Sequence, residues 1–282
     1  MVNINSKYFD NQDLFLKYAI NANSNYLIFT TSSTTIKLED FNKNNIHITG
    51  AIFSHIIFKN EVYDSGLISI EIKNDMNLEF IENVKDYIFD STKFIDAKSI
   101  ITIFNGFCEH NQEFFMKLFE SATLDTNILG GGAGIIENKS KKVFFNNEGF
   151  FLDCAILLSL HKKINITSKH GWEILSGPYI VTSSQNNVLK TIDYMDAFEL
   201  YKNIIKKDCN IDINEDNFLE ISKNYPMGIV RYSGDDIVRD PISFEEGKLI
   251  LVTEVKVNSI INILKGNKIS LINAAKEAAI EA

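Results

Sequence analysis

Residues 128–135 read Ile128-Leu129-Gly130-Gly131-Gly132-Ala133-Gly134-Ile135, a buried-strand signature that runs into backbone without Cβ atoms. Such a run lets the chain take φ > 0, or lets something approach its amides closely. A phosphate loop needs more than glycine. The Walker and Rossmann types need a helix directly after it, whose first amides hold the anion. They also need Gly-Lys-Ser/Thr, or the dinucleotide spacing with a downstream acid. Here the following segment reads as strand and neither companion signature is present, so nucleotide binding is excluded at this position. The run reads as a bend between strands that admits either a small ligand or a neighbouring strand.

What lies around the run decides the fold. Asp13–Ile20 carries apolar residues at helical spacing, and Tyr26–Thr30, Ile46–Phe53 and Gly66–Ile72 read as strands. The order recurs with a strand at Ser99–Phe104, a helix at Glu113–Glu120, and strands at Asn127–Leu129 and Asp153–Leu160. The letters recur too. Phe58-Lys59-Asn60-Glu61 matches Phe145-Asn146-Asn147-Glu148 at an offset of 87, and Asp64–Ile68 matches Asp153–Leu157 at 89. Two copies of one α/β unit are therefore expected, at about residues 10–75 and 85–162. On that alignment Gly50-Ala51-Ile52-Phe53 is the counterpart of the glycine run.

From Ile164 onward the pattern changes to short strands with turn residues, so a hairpin-rich sheet is expected. Helices are expected at Asp196–Lys206 with an Asp cap, at Asn217–Ser222 and at Ser270–Ala282. The fold class is α/β: internally duplicated α/β units with mixed sheets, then a second, smaller α+β domain.

Composition narrows the function. A formal charge of −9 over 282 residues, with no basic stripe, argues against nucleic acid or an anionic membrane as the main partner. Cys108, Cys154 and Cys209 lack CxxC spacing, and Cys154 sits in an apolar run as a small core residue. The amino terminus lacks a signal-peptide profile and no apolar stretch reaches about 18 residues, which points to a cytoplasmic protein without membrane insertion. His47, His55, His110 and His161 lack metal-ligand spacing, and no nucleophile elbow or cofactor fingerprint is present. A metal, a cofactor and catalysis are accordingly not expected.

Four residues of the second half carry polar or aromatic chemistry. Trp172, the only tryptophan, is either a plug at the sheet edge or the wall of a pocket with His170 beside it. Arg239-Asp240 is either a surface pair or a ligand-binding pair. Arg239 is one of two arginines in a lysine-rich chain, and only a guanidinium grips a carboxylate in planar bidentate fashion.

The chain resembles the FIST family of sensory domains. The resemblance rests on Phe104-Asn105-Gly106, Asn127 through Gly134, Val143-Phe144-Phe145-Asn146, His170-Gly171-Trp172 and Gly177 through Thr182. It continues through Asn187-Val188-Leu189, Pro226-Met227-Gly228-Ile229 and Ile237 through Pro241. It departs from the family at Ile135, where an aspartate is common, and at Ile52-Phe53-Ser54-His55. It implies a FIST N-like domain through about residue 190 and a FIST C-like domain over 191–282, the latter ending short of a further family strand. The implied function is a sensor of an amino acid or small carboxylate that signals to a downstream module. The candidate ligand residues are Gly130, Gly131, Gly132, Ala133, Gly134, His170, Trp172, Arg239 and Asp240. An enzyme of unknown reaction and a pure interaction module are the alternatives.

Overall fold

A computed structural model describes residues 4–19, 24–135, 138, 140–232 and 234–282. The chain divides into two compact units, Met1–Ile166 and Thr167–Ala282.

The first unit runs β1 (Ser6–Phe9), α1 (Gln12–Ala19), β2 (Asn25–Thr31), α2 (Leu38–Lys43), β3 (His47–Phe53), β4 (Ile56–Phe58), β5 (Glu61–Tyr63), β6 (Leu67–Ile72) and β7 (Met76–Ile81). It continues through β8 (Ser99–Asn105), α3 (Asn111–Ser121), β9 (Asn127–Ala133), β10 (Phe144–Asn146), β11 (Phe150–Phe151) and β12 (Ala155–Leu160). Helix α1 turns Phe15, Leu16 and Ala19 inward and α3 turns Phe114 and Leu118, the i,i+4 spacing read from the sequence. Ile20, at the end of the expected first helix, lies outside the described residues.

The duplication is present in the sheets. One is ordered β1-β6-β2-β3-β10-β11 and the other β7-β12-β8-β9. In each copy two parallel strands joined through a helix (β2 to β3, β8 to β9) are followed by an antiparallel strand on the outer side of the first. Registers agree as well: Asn25 pairs with His47 where Ser99 pairs with Asn127, so Ile28 opposite Gly50 matches Thr102 opposite Gly130. The expected counterpart of the glycine run is thus correct. The 89-residue offset for the last strand is not. Leu67 pairs with Thr30 as Ala155 pairs with Phe104, an offset of 88. That one-residue difference decides which side chains face the core. Here Ile156, Leu158 and Leu160 join the core of Leu27, Ala51 and Phe144, and Ala155 and Leu157 join that of Ile100, Phe114 and Leu118 on the opposite face.

The glycine run is not a bend. Gly130, Gly131 and Gly132 lie inside β9, which continues to Ala133, because the neighbouring strand β8 carries them as backbone-paired residues. Only Gly134, at φ +154, leaves the strand.

The second unit contains β13 (Glu173–Gln185), β14 (Val188–Ile192), β15 (Met195–Asp196), α4 (Ala197–Cys209), α5 (Phe218–Ser222) and β16 (Met227–Ile229). After these come β17 (Ile237–Arg239), β18 (Pro241–Glu245), β19 (Lys248–Leu251), β20 (Ile260–Lys265) and α6 (Lys268–Glu281). Its sheet runs β17-β16-β20-β13-β14-β19-β18, with β15 on β14. Phe198, Tyr201 and Ile205 of α4 fill the core against Val181, Leu189, Leu249, Ile261 and Ile263. The expected Asp196 cap is absent, since its side chain makes no cap hydrogen bond. The Phe198 amide instead donates to the Gly247 carbonyl at 2.9 Å. Among the described residues no helix is long and apolar enough to cross a membrane.

Candidate functional site

In open α/β sheets, ligand clefts form beyond the carboxyl ends of parallel strands, where the chain leaves the sheet. Each copy of the first unit has one such end.

In the first copy the chain leaves β2 through Ser32-Ser33-Thr34-Thr35, beside Gly66, the residue that leads into the neighbouring strand β6. The Thr34 hydroxyl ties the two together. It accepts from the Gly66 amide at 2.7 Å and lies 3.1 Å from the Gly66 carbonyl, while the Thr30 hydroxyl donates to that carbonyl at 2.9 Å. Gln12, 5% exposed, fastens the start of α1 to the same loop. Its amide nitrogen donates to the Lys37 carbonyl at 3.0 Å and its amide oxygen accepts from the Lys37 N–H at 2.8 Å. Asn11 accepts from the Leu14 amide at 3.1 Å, which holds the helix end in place. Between these walls lies a cleft of about 310 Å³ lined by Asp10, Asp13, Ser33, Thr34, Lys37 and Ser65, among others. It presents one cation, two carboxylates and several hydroxyls. Sequence reading missed it, because its walls come from positions 10–13, 33–37 and 65. The signal available was the hydroxyl run directly after an apolar strand.

The equivalent end of the second copy is filled by its own side chains. Buried Asn105 donates to the Leu152 carbonyl at 3.2 Å and to Asp153 at 3.1 Å, and accepts from the Phe107 amide at 3.0 Å. Burial pushes the Cys154 thiol up to about 12, and it also raises Cys108. Neither is a thiolate nucleophile at neutral pH.

The glycines beside this plug do different jobs. A Cβ on Gly130 would run into the Thr102 carbonyl and side chain, as one on Gly50 would run into Ile28 and Phe145 in the first copy. Around Gly131 nothing lies within 4 Å of that position, and on Gly134 a Cβ would meet the Phe107 ring at 2.7 Å. Ala133 is buried and its carbonyl accepts from the Gly106 amide at 3.0 Å.

The second unit holds the remaining candidates in two places. Trp172 packs its ring over Gly266 beyond β20, and the His170 Nδ1 accepts from the Trp172 amide at 2.9 Å. The His170 Nε2 is buried without a protein partner. Arg239 ends β17. Its Nη1 donates to the Val238 carbonyl at 3.0 Å and its Nε to the Glu254 carbonyl at 3.4 Å. Asp240 has an exposed face, yet the atoms around its carboxyl desolvate it. Burial outweighs the pull of Arg239, so its pKa stands above the usual carboxylate range. Burial, and then the Asp240 charge, raise the Tyr201 phenol nearby. Among the described residues no cluster of His, Cys, Asp and Glu is arranged to hold a metal ion.

The family model described as the FIST N domain matches residues 23–195, and that of the FIST C domain matches residues 197–282. No curated protein matches the chain.

Proposed function

The chain belongs to the FIST family of sensory domains of signal-transduction proteins, and on that premise we propose that it senses an amino acid or a small carboxylate. One observation carries the reading: the polar cleft at the carboxyl end of β2. Its volume of about 310 Å³ is at the small end of ligand pockets, room enough for an amino acid. Its lining carries both charges of a zwitterion's partners. Lys37, with the hydroxyls of Ser33, Thr34 and Thr35, takes the carboxylate, and Asp10 or Asp13 takes the ammonium. The bound state is passed to an output module.

In the second unit, the Arg239–Asp240 pair offers the same two charges, with Trp172 and His170 as the aromatic candidates. A thermal-shift screen of amino acids and small carboxylates separates the two locations. A ligand at 100 times its Kd stabilises by about 2.7 kcal/mol. Lys37→Ala is expected to abolish the shift and Arg239→Ala to retain it; the opposite result moves the site to the second unit. Lys37 contacts Gln12 through its backbone alone, so the variant leaves the apo fold intact. A screen in which no compound shifts the melting point removes the proposed ligand class.

A further inference from the structure

The two larger sheets of the first unit end in β1, β11, β7 and β9, and three of these edges are guarded. β11 has two residues, β1 carries Lys7, and β7 carries Glu79, whose carboxylate holds Lys93 at 2.6 Å. Short or charged edges resist the addition of a further strand. β9 has neither protection. It spans seven residues, Asn127–Ala133, with no charge and no proline, and among the described residues it pairs with β8 alone.

The free side of β9 has a defined polarity. The Asn127 amide donates to the Lys98 carbonyl at 3.0 Å, and the Ala133 carbonyl accepts from the Gly106 amide at 3.0 Å, both on the β8 side. Successive strand residues turn their N–H and C=O groups to opposite sides. Leu129 and Gly131 therefore also face β8, while Ile128, Gly130 and Gly132 face outward. Gly130 and Gly132 are exposed, and Ile128 and Leu129 are half-buried.

The first copy shows what such a side accepts. β3 matches β9 in register on its parallel neighbour, so Ile48, Gly50 and Ile52 stand where Ile128, Gly130 and Gly132 stand. There an antiparallel strand, β10, covers the outward groups. Phe145 lies opposite Gly50, and the Ile52 amide donates to the Val143 carbonyl at 2.8 Å.

β9 is its own complement for the same kind of pairing. A two-fold axis at Gly130 sets Gly130 opposite Gly130 of a second copy, Ile128 opposite Gly132 and Leu129 opposite Gly131. Outward residues then meet outward residues along the whole strand, so the Gly130 pair and both Ile128–Gly132 pairs exchange hydrogen bonds. Each large side chain lies across from a residue that has none. An added Cβ on Gly131 would meet nothing within 4 Å, so the Leu129 side chain of the second copy has room there. Sliding the strands by two residues shortens the overlap and sets Leu129 against Leu129, or Gly131 against Gly131.

We propose that β9 is a dimerisation strand, and that two copies of the chain join antiparallel through it in this register. One sheet then runs from the β7 of one copy through both β9 strands to the β7 of the other, and the open edge disappears.

Disulfide trapping reads the register in the full chain carrying Cys209→Ser, with diamide as the oxidant of the two thiols. Opposed residues of a non-hydrogen-bonded pair stand about 4.5 Å apart at Cα, within disulfide reach. Residues two positions off stand about 7–8 Å apart and do not reach. Leu129→Cys chains mixed with Gly131→Cys chains are expected to cross-link at least tenfold faster than either variant alone. Equal rates, or no cross-link between chains, overturns the proposal. Sedimentation gives a reading without added cysteines. Over a dilution series from millimolar to micromolar, the native chain should pass from dimer to the 32.0 kDa monomer. Gly131→Lys, which sets a charge against Leu129 of the second copy, should stay monomeric with unchanged circular dichroism. A native chain that is monomeric throughout, or a Gly131→Lys that still dimerises, overturns the proposal. Dilution should also speed hydrogen exchange of the Ile128, Gly130 and Gly132 amides at least threefold and leave Leu129 and Gly131 unchanged. Exchange in β9 that ignores dilution counts against the dimer in the same way.

Discussion

Adjacent glycines in β9 are expected to respond oppositely to the same added methyl group. A Cβ on Gly130 meets three Thr102 atoms: the carbonyl oxygen, Cγ2 at 2.6 Å and the carbonyl carbon at 2.9 Å. Two of these are backbone atoms of β8, which is hydrogen-bonded on both sides and cannot retreat. Gly130→Ala therefore belongs at the severe end of overpacking, about 3 kcal/mol. At Gly131 the added atom meets nothing within 4 Å and the backbone is not left-handed. There the loss of unfolded-state freedom dominates, and Gly131→Ala should stabilise by about 0.4–1 kcal/mol. The pair differ by about 3–4 kcal/mol, or roughly 6–16 °C in melting temperature for a unit of this size. Urea and thermal unfolding of the two variants measure this. Equal effects, or a Gly131→Ala that destabilises by more than about 1 kcal/mol, would refute the reading of these residues as a paired strand with one open face.

Three further outcomes follow from the same contacts. Asn105→Ala removes three hydrogen bonds at a buried position and should cost about 3 kcal/mol in chemical denaturation; a loss under about 1 kcal/mol would show that water replaces the amide. With its thiol pushed up to about 12 by burial, Cys154 should resist iodoacetamide at pH 8 until the protein unfolds, as followed by mass spectrometry. Asp240 has a raised pKa, so its contribution to stability is complete below its unfolded value of about 3.9 and is lost as pH rises through the folded value. Asp240→Asn should accordingly gain on the native protein between pH 4 and pH 7, and a gain that shrinks with pH would contradict the assignment.

Much of the fold was legible because the chain repeats itself. The match of Gly50 to Gly130 needed only the order of strands and helices. It survives in the structure because both glycines sit opposite a parallel-strand carbonyl with no room for a Cβ. The short elements were not legible. Strand β1 has four residues and α2 six, too few to show a period, and β7 mixes Asn77 and Glu79 among its apolar residues. The glycine run was legible as special but not as strand, since glycine carries no side chain from which alternation can be read. Asp196 looks like a cap in sequence, yet the turn at Gly247 supplies the acceptor, a long-range partner that no local pattern encodes. The cleft was the least visible feature, because its lining is assembled by β-sheet pairing from three distant stretches.

The most direct test of the sensory reading is an amide NMR titration of the labelled protein with the best amino acid or carboxylate from the screen. The account predicts saturable shifts confined to residues 10–13, 33–37 and 65, lost in Lys37→Ala. Saturable shifts centred on Arg239 and Asp240 instead, with residues 33–37 unmoved, would contradict it.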